Sequence, residues 1–421
     1  MKILIQQAYI NDLQSPHHGT TNDILIENGV IKNIQPSINE AADIKIEQKN
    51  LHVSNGWVDI FSNFSDPGYE FKETLTTGAN AAAAGGYTDV FVIPNTKPAI
   101  DTKSQVEYII QKSRLLPVNI FPIGAITKNI DGKDLAEMYD MQHSGAIAFS
   151  DGINPVQSAG LLLKALQYIK AFDGVIIQIP DDKSVGANGL INEGIISTTL
   201  GLPGKPMIGE ELIIERDIKL AEYTESKIHF TGITSSKSIE LIKRAKDKGL
   251  NITCSITPYH LFFSDEDLLN YDTNLKVYPP LRTKTDVADL KKAVMDGTVD
   301  CVASHHLPHE YDSKILEFEY AKFGMTGLET TYSVIRTILP QLSEEKIILL
   351  LSDNARKIFG LKQTSIAVGN ISCITLFDPA GTFTLKEENI HSKSKNTPFI
   401  NRELHGKVIG IINGEKVFLN N

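Results

Sequence analysis

Residues 57–61, W-V-D-I-F, and residues 88–94, T-D-V-F-V-I-P, are apolar runs separated by an Ala-rich stretch, 73–84, that reads as a helix. Neither run alternates polar with apolar. A strand of that kind is buried on both faces, and a helix between two such strands makes a parallel βα unit. The same grammar continues down the chain. Strands are expected at V-N-I-F-P-I-G-A, A-I-A-F-S, V-I-I-Q-I, K-I-H-F-T-G-I, N-I-T-C-S-I-T and C-V-A-S-H-H. Helices are expected at 103–115, 155–171, 209–225, 236–248 and 286–296. With W-V-D-I-F the strands number eight, which predicts a (β/α)8 barrel. A doubly wound sheet is the alternative, weakened because no G-x-G-x-x-G follows an early strand.

Both ends of the chain read differently. K-I-L-I-Q-Q-A-Y-I, D-I-L-I-E-N-G-V-I-K-N-I and A-D-I-K-I-E alternate near the start, with E-N-G-V as a hairpin turn. S-C-I-T-L-F-D-P, G-T-F-T-L and the hairpin around N-G-E repeat the pattern near the end. The simplest assembly is a small β-sandwich domain built from both termini, 1–52 and 365–421, with the barrel, 53–364, inserted between them.

The formal charge is −10 over 421 residues, with like charges interspersed. That argues against a nucleic-acid surface, which needs a basic face. Three separated cysteines, Cys254, Cys301 and Cys373, form no disulfide framework or zinc knuckle. No run reaches 18 apolar residues, and M-K-I-L-I-Q-Q lacks a signal-peptide core, so no membrane span is expected and the expected location is the cytoplasm.

In a barrel, chemistry sits where strands end. Those positions carry Phe61, Asn63, Asn95, Asp151, Gln178, Gly232 and the cluster S-H-H-L-P-H at 304–309. At this point the chain resembles a known family. F-K-E-T-L-T-T-G-A-N-A-A-A-A-G-G-Y-T-D-V-F-V-I-P-N-T-K-P, A-F-S-D-G, I-N-E-G-I-I-S-T-T-L-G-L-P-G-K-P, E-R-D-I-K-L-A-E-Y-T, I-T-P-Y-H-L, Y-P-P-L-R, D-G-T-V-D and F-G-M-T-G-L-E-T occur in one order over nearly the whole chain. Together they resemble dihydroorotase in its longer bacterial type, a cyclic amidohydrolase of pyrimidine biosynthesis in the amidohydrolase superfamily.

The resemblance implies two divalent metals bridged by hydroxide, which lower the pKa of water and polarise the ring carbonyl. It implies ligands at six places, and here those places hold Phe61, Asn63, Asp151, Gln178, Gly232 and His305. His305 replaces the family's catalytic, metal-binding Asp. Ser65 replaces a substrate-clamping Arg and Tyr278 a substrate-contacting Asn, while Tyr259 stands where the family often has His. Phe and Gly offer a metal no electron pair, and neutral amides offer only weak oxygens. One carboxylate out of six ligands cannot hold a binuclear centre, so no cofactor is expected; zinc is expected only if the protein is active. Asn95 and His309 match substrate-carboxylate contacts and would be remnants of that subsite.

Each of these has a plainer reading. Asp151 before Gly152, and Asn95 before Thr-Lys-Pro, are ordinary turn residues. Arg282 reads as local structure or an ion pair. His305, His306 and His309 form H-H-x-x-H, and with Asp151 they are candidates for a replacement metal site. Against that, adjacent strand residues point to opposite faces, so His305 and His306 share a pocket only if the strand has already ended. Phe61, Tyr259 and Tyr278 are expected to fill part of the vacated pocket.

Three functions follow. The first is a pseudoenzyme acting as structural or regulatory partner of aspartate carbamoyltransferase, since the resembled family includes inactive members that pair with that enzyme. The second is an active dihydroorotase or related hydrolase with a rearranged metal site. The third is a ligand-sensing module using Asn95 and His309. Family habit implies a homodimer or larger assembly.

Overall fold

Residues 1–420 are described by a computed structural model. Eight parallel strands run in sequence order around a barrel. They are Trp57–Ser62, Tyr87–Val92, Asn119–Gly124, Ala148–Phe149, Val175–Gln178, Lys227–Thr231, Ile252–Ile256 and Cys301–Val302. A parallel bridge between Ser62 and His306 joins the last strand's extension to the first and closes the ring. The eight strand regions match the expected apolar runs, and the doubly wound alternative falls with that closure.

Burial explains the pattern. Outward side chains such as Val90, Val92, Ile176 and Phe230 pack under the helices, and inward ones such as Ile60, Phe91, Ile123 and Ile177 fill the lumen. The helices lie at Leu75–Ala84, Lys103–Ser113, Ala159–Lys170, Ile208–Thr224, Ser236–Asp247 and Lys284–Asp296. The helix expected from 155 begins four residues later. Ser158 caps it instead, accepting from the Leu161 amide at 3.3 Å. At the other end of the first helix, Gly86 takes φ +90°, and a Cβ there would meet the Trp57 ring at 2.8 Å.

Both termini build one mixed eight-stranded sheet, in the order Lys416–Leu419, Glu403–Asn413, Cys373–Thr384, His52–Asn55, Lys2–Ile10, Thr21–Glu27 and Val30–Gln35, with Ile44–Glu47 pairing Lys2–Ile10. The two C-terminal runs expected as separate strands form one strand, its register shifting between Asp378 and Thr382. Trp57 ties sheet to barrel, with ring centroids 4.9 Å from Tyr332 and 5.5 Å from Phe377. A buried ion pair at 2.6 Å, Arg356 to Asp89, locks the barrel's lower end. Residues 385–402 leave the sheet and lie against the barrel mouth, where Ser394 donates to the Lys72 carbonyl at 2.7 Å and Asn396 accepts from the His309 amide at 3.0 Å. Among the described residues, no helix is long and apolar enough to cross a membrane, and all three cysteines are free.

Candidate functional site

The first barrel strand ends in Phe61 and Ser62, and the pleat sends them opposite ways. Phe61 faces the lumen and is buried. Its ring lies 4.6 Å from that of His305, tilted by 31°. His305 follows the eighth strand, which has ended at Val302, and its φ of +44° turns the ring inward. The Nε2 of His305 shares a 2.7 Å hydrogen bond with the Thr231 hydroxyl. That hydroxyl accepts from Ser255 at 2.8 Å, and Ser255 meets His229 at 3.0 Å, so a polar chain runs down the lumen. Burial pushes His305 and His229 down to about 3, leaving both neutral.

Gly232 explains how His305 fits. It has φ +73°, and a Cβ there would sit 2.8 Å from His305 Cε1 and 3.3 Å from Pro279 Cδ. The missing side chain at 232 is the room that the imidazole at 305 occupies. Neither position reveals this alone.

The remaining ligand places are committed to the protein's own structure. Asn63 Oδ1 accepts from the Ser65 amide at 2.7 Å and from its hydroxyl at 3.2 Å, forming a tight turn. Ser65, buried with φ +57°, therefore serves that turn and has no guanidinium-like reach. Gln178 holds the following loop, accepting from the Val156 amide at 3.4 Å and donating to its carbonyl and to Asp217, each at 3.3 Å. Asp151 has both oxygens occupied. Oδ1 accepts from the Ile126 and Thr127 amides at 2.9 Å each, and Oδ2 from the Thr127 hydroxyl at 2.5 Å. Burial outweighs these bonds and pushes its carboxyl up to about 6.

The two residues expected at a carboxylate subsite also bond to the protein's own backbone. Asn95 accepts from the Ile153 amide at 3.1 Å and donates to the Asp151 carbonyl at 3.3 Å. His309 donates from Nε2 to the Phe323 carbonyl at 2.9 Å, leaving a buried Nδ1 unpartnered; burial pushes it down to about 4. Arg282 is buried and donates to Thr234, Asn192 and the Lys205 carbonyl at 3.0, 3.0 and 3.1 Å, so it is a structural fork.

The three histidines of H-H-x-x-H go separate ways. His306 accepts from the Gly327 amide at 3.3 Å through Nδ1 and meets Glu73 at 3.3 Å through Nε2. His305 faces Thr231 and His309 faces Phe323. Among the described residues, no three His, Cys, Asp or Glu side chains gather as a metal would need. The candidates for a replacement metal site, Asp151, His305, His306 and His309, thus lie apart, each bonded within the protein, with His309 Nδ1 unpartnered. A binuclear zinc centre does not fit these donors, because Phe61 and Gly232 supply none and Asp151 and Gln178 are engaged.

Of the three side chains expected to fill the pocket, Phe61 and Tyr278 share one apolar cluster. The Tyr278 hydroxyl donates to Asp181 at 2.5 Å. Tyr259 does not join them; it packs in a separate cluster with Phe263, Leu281 and Phe399. The sequence reading missed Glu73, Asp59, Asp181, Asp217 and Thr231. Glu73 is buried against His306 and Ser392. Asp59 holds Ser62 and Ser304 together, accepting from the Ser304 amide at 2.6 Å. A carboxylate inside an apolar run, V-D-I-F, was the one available signal, for Asp59.

Comparison with known proteins agrees over nearly the whole chain. A family model described as dihydro-orotase-like matches residues 52–238. A protein named dihydroorotase from Thermoanaerobacter sp. is 41% identical over 400 residues, covering 94% of this chain and 93% of its own. Another of that name, from Geobacter metallireducens, is 38% identical over 427 residues, covering 99% of each. Among solved structures, an L-hydantoinase (dihydropyrimidinase) from Arthrobacter aurescens superposes with a TM-score of 0.86 at 21% identity, covering 99% of this chain and 96% of its own. That likeness speaks to the fold alone.

Proposed function

The chain belongs to the dihydroorotase family of pyrimidine biosynthesis, and from that premise we propose that it is a member without hydrolytic activity that serves as a structural or regulatory partner of aspartate carbamoyltransferase. One observation carries the reading: the ring of His305 stacks on Phe61 and fills the room that Gly232 leaves. Three ligand places are thereby turned into mutual packing. Ionising water at neutral pH needs a metal or an equally strong base. The His305 ring, whose pKa burial lowers to about 3 so that it is neutral at pH 7, is bonded to Thr231.

The frame is intact while the donors are gone, and a rigid barrel still offers docking area. The relatives named dihydroorotase set the alternative, an active hydrolase with a different metal arrangement. Two measurements separate them. Purified protein, incubated with zinc and desalted, is assayed for metal and for interconversion of carbamoyl-aspartate and dihydroorotate. The expected result is substoichiometric zinc and no turnover. Chelator-sensitive turnover would overturn the loss of activity. Co-purification with the transferase, and a transferase that needs this chain for full activity, would support the partnership; a transferase indifferent to the chain would remove it.

A further inference from the structure

The loop after the eighth strand, residues 310–324, is arranged inside out. One of its two lysines points inward: Lys314 is buried and donates to the carbonyls of Lys322 at 2.7 Å and Gly324 at 3.1 Å, while Lys322 is exposed. Lys276, buried beneath the loop, donates to the carbonyls of Phe318 at 2.6 Å and Glu319 at 2.9 Å. Its ammonium also lies 4.7 Å from the centre of the Phe323 ring. His309 holds the Phe323 carbonyl. Burial pushes Lys276 down to about 8 and Lys314 down to about 7, a measure of how unusual the placement is.

Four of its apolar side chains point the other way, while Phe318 and Ala321 stay buried. Tyr311 is 76% exposed, Tyr320 67%, Ile315 57% and Leu316 43%. Tyr271, 46% exposed and edge-on to Phe318 at 6.4 Å, extends the patch. Scattered exposed apolar residues are ordinary, but this many in ten residues, on a backbone clamped from below, are not. The clamp stops them collapsing inward. A loop fixed in advance loses little freedom on binding, and tyrosines are favoured anchors in protein interfaces. The exposed charges interleaved with them, Asp312, Glu317 and Glu319, are acidic, and the one exposed cation of the loop, Lys322, lies beyond them, so the patch stays acidic on balance.

We propose that this loop is the docking surface for another protein, one presenting an apolar pocket ringed by arginine or lysine. The proposal deepens the scaffold reading above and rests on it, so the partner to test is the transferase. Carboxylates among the apolar side chains disfavour an anionic lipid surface as the occupant.

The test measures binding of the full-length chain to purified aspartate carbamoyltransferase from the same cell, by calorimetry and sedimentation at two salt concentrations. The variants are Tyr311→Ser/Ile315→Ser/Tyr320→Ser, which removes contact side chains, and Glu317→Lys/Glu319→Lys, which reverses the charge. A third, Lys314→Met, releases the clamp and leaves the contact side chains in place. Each is expected to weaken binding at least about tenfold, with the charge reversal most severe at low salt. The triple serine variant alters exposed side chains and should melt as wild type does. Variants that bind within about twofold of wild type would overturn this surface and leave the scaffold reading standing. A wild-type chain that ignores the transferase would overturn the scaffold reading and this surface with it. A variant that instead changes the chain's own oligomeric state would assign the patch to a second copy and overturn the partner named here.

Discussion

Gly232→Ala isolates the packing at the barrel mouth. Its φ of +73° is in the left-handed region, which costs a residue with a Cβ roughly 1–2 kcal/mol. The added carbon would sit 2.8 Å from His305 Cε1, so the ring must leave its place over Phe61, at an overpacking cost of about 1–3 kcal/mol. The sum is roughly 2–5 kcal/mol. With an unfolding entropy of about 2.1 cal/mol/K per residue over 421 residues, that lowers the melting temperature by about 2–6 °C. The decisive comparison is the same substitution in a His305→Ala background. There the collision is gone and only backbone strain remains, so the expected cost falls to roughly 1–2 kcal/mol. Urea unfolding of wild type, both single variants and the double variant gives the coupling directly. Equal costs in the two backgrounds would refute the idea that the ring at 305 depends on the space at 232.

The remaining expectations concern pH, the buried fork and metal. Burial lowers His229 and His260 from 6.5 to about 3, so the unfolded chain binds their protons more readily. Their contribution is whole above pH 6.5 and is lost as pH falls towards 3; Asp217, raised to about 6, acts oppositely between 3.8 and 6. Unfolding free energy measured against pH should therefore drop on the acid side, and His229→Gln should flatten the drop; an unchanged slope would count against the buried neutral imidazole. Arg282→Lys replaces a fork that serves three acceptors and should cost about 2–4 kcal/mol, with new proteolytic cleavage in residues 183–206 where two of those acceptors lie. Phe61→His with Asn63→His restores two imidazoles, yet zinc by elemental analysis should stay well below stoichiometric, because Gln178, Gly232 and His305 are unchanged and Asp151 remains tied to Ile126 and Thr127.

The frame was legible because its physics is local. Strands buried on both faces must be apolar throughout, and the eight runs announced themselves. Helix starts were less legible: Ser158, not the residues around Pro155, supplies the cap. The helix Thr331–Ile338 was not anticipated. Loss of donors was also local, since Phe61 and Gly232 cannot bind a metal in any setting. What replaced the donors was not. Gln178 meets Asp217, and His306 meets Glu73, across 39 and 233 residues of chain. No spacing rule links such pairs, and Asp151 looked like a turn residue although its carboxylate serves a different loop.

The replacements at the mouth are therefore better understood as a set than as separate losses. An Asp at 305 would bring a carboxylate against the Phe61 ring, where Thr231 is the hydroxyl within reach. A histidine at 232 would need both a left-handed backbone and the volume that the 305 ring holds. A histidine at 61 would replace the larger apolar ring face on which the 305 ring rests with a smaller polar one that needs its own hydrogen-bond partners. Each single reversal is uphill while the other two residues stay, which is how a packed interior behaves. A catalytic mouth has the opposite requirement: donors held apart and aimed at an open centre. On the reading proposed here, the tilted rings of Phe61 and His305, 4.6 Å apart, take the place of such a centre between the first and eighth strands, and the clamped loop beside it is the feature that this end of the barrel presents outward.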